Sequence, residues 1–160
     1  MAYMYKEINS PVGKLKLIAN ERGLAAILWE NEDPERIPLK PLTENKTYPL
    51  LVETERQLKD YFSGKLKKFS LKLNFTGTSF QKKVWQALLT IPYGQTRSYG
   101  EIARFIGNPK AVRAVGAANG RNPISIVTPC HRVIGASGKL TGFAAGLGVK
   151  ARLLDLESKK

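Results

Sequence analysis

The chain has 160 residues, of which 42% are hydrophobic and 9% aromatic, enough to bury the core of one domain, or of one domain with a small companion. Its 26 lysines and arginines against 13 aspartates and glutamates give a net charge of +13, which favours a nucleic-acid partner, with a lysine-rich thermophile surface as the alternative. Because the sequence contains neither a run of about eighteen apolar residues nor a signal-peptide pattern, we expect a soluble cytoplasmic protein with no membrane span.

The first part of the chain is predicted to form a small N-terminal α/β domain over residues 1–75. Three alternating segments separated by turn signals predict an antiparallel meander: residues 3–8, 14–20 and 24–30. The proline-rich stretch 31–47 has no period and is expected to be a loop. A helix is predicted over 48–64, ended by Gly64, and a last alternating strand over 67–77.

Residues 76–160 are predicted to form a mostly helical domain, so that the whole chain has an α+β fold. A first helix is expected to start at Thr78 or Ser79 and to be closed by Gly94. Two short helices should follow, at 99–106 with Ser98 as cap, and at 109–118 with Asn108 as cap. This pair is a candidate helix-turn-helix, although helix pairs in ordinary bundles look similar.

The second helix of this pair is rich in small residues: Ala111, Ala114, Gly116, Ala117 and Ala118. Such a slim helix can approach another surface closely, which would be either a neighbouring helix of the core or a DNA groove. Arg113 lies in the middle of the helix. It would be a solvated surface residue in the first case, and could contact phosphate or probe the base stack in the second.

The only cysteine and the only histidine of the chain, Cys130 and His131, are adjacent in the stretch "IVTPCHRVIG". One cysteine cannot form an intramolecular disulfide, and one of each cannot supply the four ligands of a structural zinc, so we predict no metal site. We also expect no cofactor. The apolar and β-branched residues at 126–128 favour a buried, extended segment, and Pro129 fixes the backbone before the thiol. The lone thiol is either a small buried residue or a nucleophile.

As a nucleophile, Cys130 would need a base to remove its proton, and His131 could act directly or through one water. The histidine would need a carboxylate to orient it, and only Asp155 and Glu157 lie downstream. Three reaction classes are open for such a pair: acyl transfer by a cysteine hydrolase, redox sensing, and alkyl transfer to sulfur. The basic charge and the candidate helix-turn-helix favour a DNA substrate, and a soft thiolate suits attack on saturated carbon.

Several ordered motifs resemble those of the O6-alkylguanine-DNA alkyltransferases. They are "SYGEIA" at 98–103, "GNP" at 107–109, "RAVGAANG" at 113–120, "NP" at 122–123, "PCHRV" at 129–133 and "GKLTGFAAGLGVKARLLDLE" at 138–157. The resemblance runs from about Phe80 to Glu157. Before it, only the turn "SPVGKLKL" and the order of elements match, and the resemblance implies a ribonuclease H-like sheet there.

The resemblance implies a DNA-repair protein that acts once. It would flip the damaged base out of duplex DNA and transfer the alkyl group from O6 of guanine, and from O4 of thymine, irreversibly to Cys130. Binding would be in the minor groove with low sequence specificity, by a monomer associated with the nucleoid. The alternatives are a protein that binds the lesion without transfer, which the thiol disfavours, and a cysteine hydrolase, which would not explain the charge.

The resemblance also assigns roles to individual residues. In the catalytic set, Cys130 is the acceptor of the alkyl group, His131 is its water-bridged base, and Glu157 orients His131. Tyr99 rotates the target phosphate and donates a proton to the leaving base, and Asn122 pins the turn. The DNA-binding set comprises Ser98, Ala111, Arg113, Ala114, Gly116, Ala118 and Arg121, with Arg113 entering the base stack. The base pocket comprises Tyr99, Pro129, Val133, Phe143 and Ala144, with the carbonyls of Cys130 and Val133 receiving the guanine amino group. The loop 142–146 would cover the base; many relatives have Tyr at 143 and Ser or Gly at 144.

Overall fold

The computed structural model describes residues 2–138 and 142–159 and separates into two units, residues 1–75 and residues 76–160. The division falls at the predicted domain boundary. Together the units contain five α-helices and two small sheets within the described ranges, an α+β fold as predicted. None of these helices is both long and apolar enough to cross a membrane.

The first unit is built on the predicted meander, which is confirmed. Its strands are β1 (Tyr3–Ile8), β2 (Leu15–Asn20) and β3 (Gly23–Trp29), and each pairs antiparallel with the next. Both faces of β2 are buried, which its apolar residues allow. Helix α1 (Pro49–Phe62) packs beside the sheet through a buried stripe that includes Leu51, Leu58 and Tyr61.

Two predictions for the first unit are wrong. The stretch expected to be a loop contains the strand β4 (Leu42–Glu44), which pairs parallel with β1 and completes the sheet order β3-β2-β1-β4. All three residues of β4 are exposed, so it has no apolar alternation to reveal it. Conversely, the strand predicted at 67–77 is reduced to a single bridge between Leu73 and Leu24.

The second unit contains four helices and a two-stranded parallel sheet. The helices are α2 (Ser79–Leu88), α3 (Tyr99–Phe105), α4 (Val112–Gly120) and α5 (Leu147–Ser158). The strands β5 (Arg97–Ser98) and β6 (Val133–Ile134) pair side by side. Thr78 caps α2 and Ser98 caps α3, each in a reciprocal capping box with the residue three positions later, Gln81 and Glu101.

The ends of two helices differ from prediction. Helix α2 ends at Leu88, and Gly94, with a φ of 80°, closes the loop that follows instead of the helix. Helix α4 begins at Val112, because residues 108–111 form a separate turn in which the Ala111 amide donates to the Asn108 carbonyl at 3.0 Å. Asn108 therefore does not cap α4.

Candidate active site

The segment that carries the thiol is buried as predicted, but it is not extended. Ile126 has a φ of 73°, a conformation that a β-branched residue rarely adopts, and residues Cys130–Arg132 form one turn of 3-10 helix. The prediction of a strand over 126–128 is therefore wrong. Every residue from 122 to 133 is buried, so this tightly folded segment forms part of the core of its unit.

Asn122 provides the hydrogen bonds that fold the segment back on itself. Its side-chain Nδ2 donates to the carbonyl of Thr128 at 2.8 Å, and its Oδ1 accepts from the amide of Ile124 at 3.0 Å. Asn122 is 1% exposed, so these bonds are shielded from water. The side chain thus replaces the backbone partners that a regular strand would have supplied.

Cys130 begins the 3-10 turn, which packs against α2 and α5, and is 4% exposed. Its amide donates to the carbonyl of Thr128 at 2.8 Å. Its own carbonyl accepts from the Asn119 side chain at 3.4 Å and from the amide of Val133. The backbone of Cys130 is therefore tied both to its own turn and to α4.

His131 and Arg132, although adjacent in sequence, bind the same carboxylate. His131 Nε2 lies 2.7 Å from Glu157 Oε2, while Arg132 Nε and Nη2 donate to the two oxygens of Glu157 at 2.8 and 3.0 Å. All three side chains are buried. Of the two acids that the sequence left as candidates, Asp155 is exposed and pairs with Lys159 at 3.5 Å, so Glu157 is the residue that holds His131.

The charges of this cluster are set by burial and by its hydrogen bonds. Burial alone would raise the pKa of Glu157, but the hydrogen bonds and charges of His131 and Arg132 lower it to about 2. Burial lowers the pKa of His131 below its usual value; Glu157 opposes this effect, and the positive charges of Arg132 and Lys150 add to it. We therefore expect an ionised carboxylate beside a neutral imidazole at pH 7.

The hydrogen bond to Glu157 also fixes which ring nitrogen carries the proton. An ionised carboxylate can only accept, so Nε2 of His131 is the donor and Nδ1 is left as an acceptor. Nδ1 is buried and has no hydrogen-bond partner among the residues of the described ranges. The imidazole can therefore take up a proton at Nδ1 while Nε2 remains held.

Lys150 is a buried charged residue of the site that sequence reasoning missed. Its ammonium group donates to the carbonyl of Val133 at 2.6 Å and lies 5.9 Å from the centre of the Phe143 ring. Burial lowers its pKa, and the negative charge that Cys130 can carry opposes this effect. Lys150, Leu153 and Glu157 are the buried residues of α5 and share one helix face, but two of the three are charged, so no apolar period marked this face in the sequence.

Helix α4 presents a slim exposed face. Arg113, Ala114 and Ala117 are exposed, while Ala111 and Gly116 are partly buried. Ala118 is only 2% exposed, so its predicted place on the DNA-facing side is wrong; it points into the core one residue beyond the exposed Ala117.

Helix α4 is held in position by a hydrogen bond from α2 and by contact with the ring of Tyr99. The indole of Trp85, buried in α2, donates to the carbonyl of Ala118 at 2.8 Å. The ring of Tyr99 lies against Gly116, where an added Cβ would be 3.8 Å from the ring. Tyr99 itself directly follows β5, whose partner β6 directly follows the Cys130 turn.

The remaining predicted residues occupy different environments. Pro129 and Val133 are buried, Phe143 is partly buried and Ala144 is exposed. The Ser98 hydroxyl accepts from the Glu101 amide in the α3 capping box at 3.1 Å, and Arg121 is the exposed residue that ends α4. Residues 139–141 of the predicted "GKLTGFAAG" match lie outside the described residues.

The charge of the chain is concentrated in this unit. Residues 76–160 contain 13 of the 26 basic residues but only 3 of the 13 acidic ones, so this unit carries +10 of the total charge of +13. Within residues 2–138 and 142–159, no cluster of three or more His, Cys, Asp or Glu side chains could hold a metal ion. The net positive charge of this unit thus suits a polyanionic partner.

Comparison with known proteins identifies the family. Residues 3–75 match the family described as 6-O-methylguanine DNA methyltransferase, ribonuclease-like domain, and residues 79–159 match its DNA binding domain. The chain is 54% identical to the methylated-DNA–protein-cysteine methyltransferase of Methanosarcina mazei over 96% of each protein, and 49% identical to that of Mycobacterium tuberculosis over 98% of this chain and 93% of the relative.

A solved structure supports the same conclusion. The structure of Mycobacterium tuberculosis OGT in complex with DNA superposes with a TM-score of 0.88 at 47% identity, and the match covers 99% of this chain and 93% of that one. Both units are included in these matches, so the resemblance noted from the motifs of the second half extends to the first. The chain belongs to the 6-O-methylguanine DNA methyltransferase family.

Proposed function

We propose that this protein repairs alkylated duplex DNA by transferring the alkyl group from O6 of guanine, and from O4 of thymine, to Cys130. The observation that carries the proposal is the Cys130 turn. The only thiol of the chain is buried beside the only histidine, whose second nitrogen is held by a buried carboxylate. The relatives named methylated-DNA–protein-cysteine methyltransferases support the same reaction.

The chemical step forms one bond and breaks one. The Cys130 thiolate attacks the alkyl carbon, the new S–C bond forms, and the electron pair of the broken C–O bond stays on O6 of guanine. The restored base then takes up a proton, for which Tyr99 is the proposed donor. Because a thiolate leaves carbon poorly and the sequence contains no second cysteine, each molecule acts once.

The proton of the thiol passes to His131 through one bridging water in this proposal. Nδ1 is the acceptor, since Nε2 is engaged by Glu157 at 2.7 Å. Asn122 keeps the turn folded while the nucleophile reacts, through its two buried hydrogen bonds. Glu157 orients the ring and stabilises the imidazolium that forms.

Helix α4 is the proposed DNA-binding element, with α3 as the first helix of a helix-turn-helix. The minor groove is about 6 Å wide, and the exposed small residues Ala114 and Ala117 would allow α4 to enter it. Arg113 would fill the gap in the base stack left by the flipped base. Ser98 and Arg121 would contact phosphates on either side. This mode of binding requires neither base readout nor a second subunit, so we expect low sequence specificity and a monomer.

The flipped base would lie between Tyr99, Pro129, Val133 and the loop 142–146. Phe143 would stack on it, and the amide of Ala144 would point to O6, which needs no side-chain hydroxyl at either position. A carbonyl oxygen has two lone pairs. The carbonyl of Cys130 already accepts two hydrogen bonds, so the guanine amino group would have to displace the weaker one, from Asn119 at 3.4 Å.

The test is the intact mass of the protein after incubation with duplex DNA that contains O6-methylguanine. We expect a gain of one methylene unit, confined to the peptide with Cys130, and no gain in the Cys130→Ser variant. A protein that binds the lesion duplex without any gain in mass would instead be a lesion-binding module. Repeated turnover of a thioester or peptide substrate would support a cysteine hydrolase.

A further inference from the structure

Arg132 is a buried arginine to which neither DNA binding nor base recognition assigns a role. It is 6% exposed, and arginine remains charged in proteins. Its Nε and Nη2 form a fork on the two oxygens of Glu157, and its Nη1 donates to the carbonyl of Ile91 at 2.7 Å. The guanidinium carbon lies 5.7 Å from the centre of the Tyr93 ring. The side chain is therefore held on every side in a single position.

Arg132 and His131 compete for a single negative charge. Glu157 Oε2 accepts from both, and Glu157 is the only buried acid among residues 76–138 and 142–159. With His131 neutral, the charges of Glu157 and Arg132 cancel. An imidazolium would leave this buried cluster with an uncompensated positive charge, which is costly in a site of low dielectric constant.

The other charged groups around this cluster add to its excess of positive charge. The titratable and charged residues that face it come from the active-site turn, from α5 and from the loop after α2: Cys130, Arg132, Lys150, Glu157 and Tyr93. Two of them are cations and only one is an anion while the thiol is protonated. Ionisation of Cys130, the residue next to His131, supplies the missing negative charge.

We propose that Arg132 is a positioning residue that cancels the charge of Glu157 and thereby keeps the His131 imidazole neutral until Cys130 gives up its proton. The proton leaves Sγ and reaches Nδ1, so thiolate and imidazolium form together and the net charge of the site does not change. The consequence for rate rests on the alkyl-transfer function proposed above, whereas the charge state of His131 depends on neither DNA nor the alkyl group.

The titration of His131 provides a direct test, because it is the only histidine of the chain and gives a single imidazole signal in NMR. In Arg132→Gln we expect its midpoint to rise by about 1–2 pH units, the effect of one charge a few ångströms away. In Glu157→Gln the ring should stay neutral to lower pH than in the wild type. In the double variant the two effects should largely cancel. Arg152→Gln removes an exposed arginine from α5 and should leave the midpoint unchanged.

Shifts of the two single variants in the same direction, or an unchanged midpoint in Arg132→Gln, would overturn the proposal. If Arg132→Gln does not fold, as judged by circular dichroism, the double variant decides. A midpoint near that of the wild type supports charge cancellation, and a clearly raised one refutes it. Arg132→Lys keeps the charge but loses the fork, so it should retain the wild-type midpoint.

The pH dependence of alkyl transfer distinguishes this electrostatic role of Arg132 from a purely structural one. In Arg132→Gln the acidic limb of the rate profile should move to higher pH together with the His131 midpoint. Loss of a merely structural arginine would lower the rate by the same factor at every pH, and that result would contradict the proposal. If the titrations behave as expected but no variant or wild-type protein accepts a methyl group, the proposed function fails while the role of Arg132 stands.

Discussion

Replacing Glu157 by Gln should destabilise the protein, and the loss should disappear in acid. The variant keeps the shape of the side chain but leaves the Arg132 guanidinium without its buried counter-charge. Breaking one partner of a buried ion pair typically costs about 3–5 kcal/mol. The wild type loses the same interaction only when Glu157 becomes protonated, so the two proteins should converge at low pH.

The size of this destabilisation follows from the pKa of the Glu157 carboxylate. The pKa of Glu157 is about 2 in the folded protein against an ordinary value of 4.5, which corresponds to about 3 kcal/mol of stability. Because the folded-state pKa is the lower one, this stability is present above about pH 4.5 and is lost as the pH falls towards 2. For a chain of this length, about 3 kcal/mol corresponds to a decrease in melting temperature of about 10 °C.

The assay is thermal unfolding followed by circular dichroism at pH 7 and at several values down to pH 2.5. Asp155→Asn is the matched control, since Asp155 lies on the same helix but is exposed and its ion pair with Lys159 is a surface one. It should change stability by less than about 0.5 kcal/mol. A melting-temperature difference between Glu157→Gln and wild type that is the same at pH 7 and pH 2.5 would refute the electrostatic explanation.

Three further outcomes test the proposed DNA-binding role of α4 and the alkylated state. Arg113→Ala should slow methyl transfer from duplex DNA by about tenfold or more. The control Arg104→Ala, which removes an exposed arginine from α3, should not slow it. Equal transfer rates for the two variants would contradict the role of Arg113. Ala117→Leu should weaken DNA binding in a fluorescence titration without changing the melting temperature. Ala118→Leu should instead lower the free energy of unfolding by about 1–3 kcal/mol, because Ala118 is buried. Methylation of Cys130 should lower the melting temperature, since it adds a methyl group to a close-packed site, and a higher value would show that the site has room.

Features that depend on neighbouring residues could be predicted from the sequence. A hydroxyl followed three residues later by Gln or Glu marks the starts of α2 and α3, and the structure forms both capping boxes. Alternating apolar residues predicted the meander for the same reason, since each strand carries its own signal. The adjacency of Cys130 and His131 needs no structure, although its chemical meaning came from the motifs around it.

Features that depend on distant partners could not be predicted in the same way. The ion pair of Arg132 and Glu157 joins residues 25 positions apart, and no local pattern records it. Helix α5 was not predicted because Lys150 and Glu157 lie on its buried face and interrupt the apolar stripe by which helices are recognised. The charged residues that form the site are thus the reason why this helix shows no helical pattern in the sequence. Strands β5 and β6 have two residues each, too few to show a period.

The hydrogen bond from Trp85 to Ala118 gives helix α4 an optical signal. The chain has two tryptophans, and the other one, Trp29, belongs to the first unit. In a Trp29→Phe variant, all indole emission would therefore come from a ring bonded directly to the backbone of α4 at 2.8 Å. A change in that bond on DNA binding or on alkylation would alter the emission wavelength and intensity. The movement of one short helix could then be followed in solution in real time, without attaching a dye to the protein.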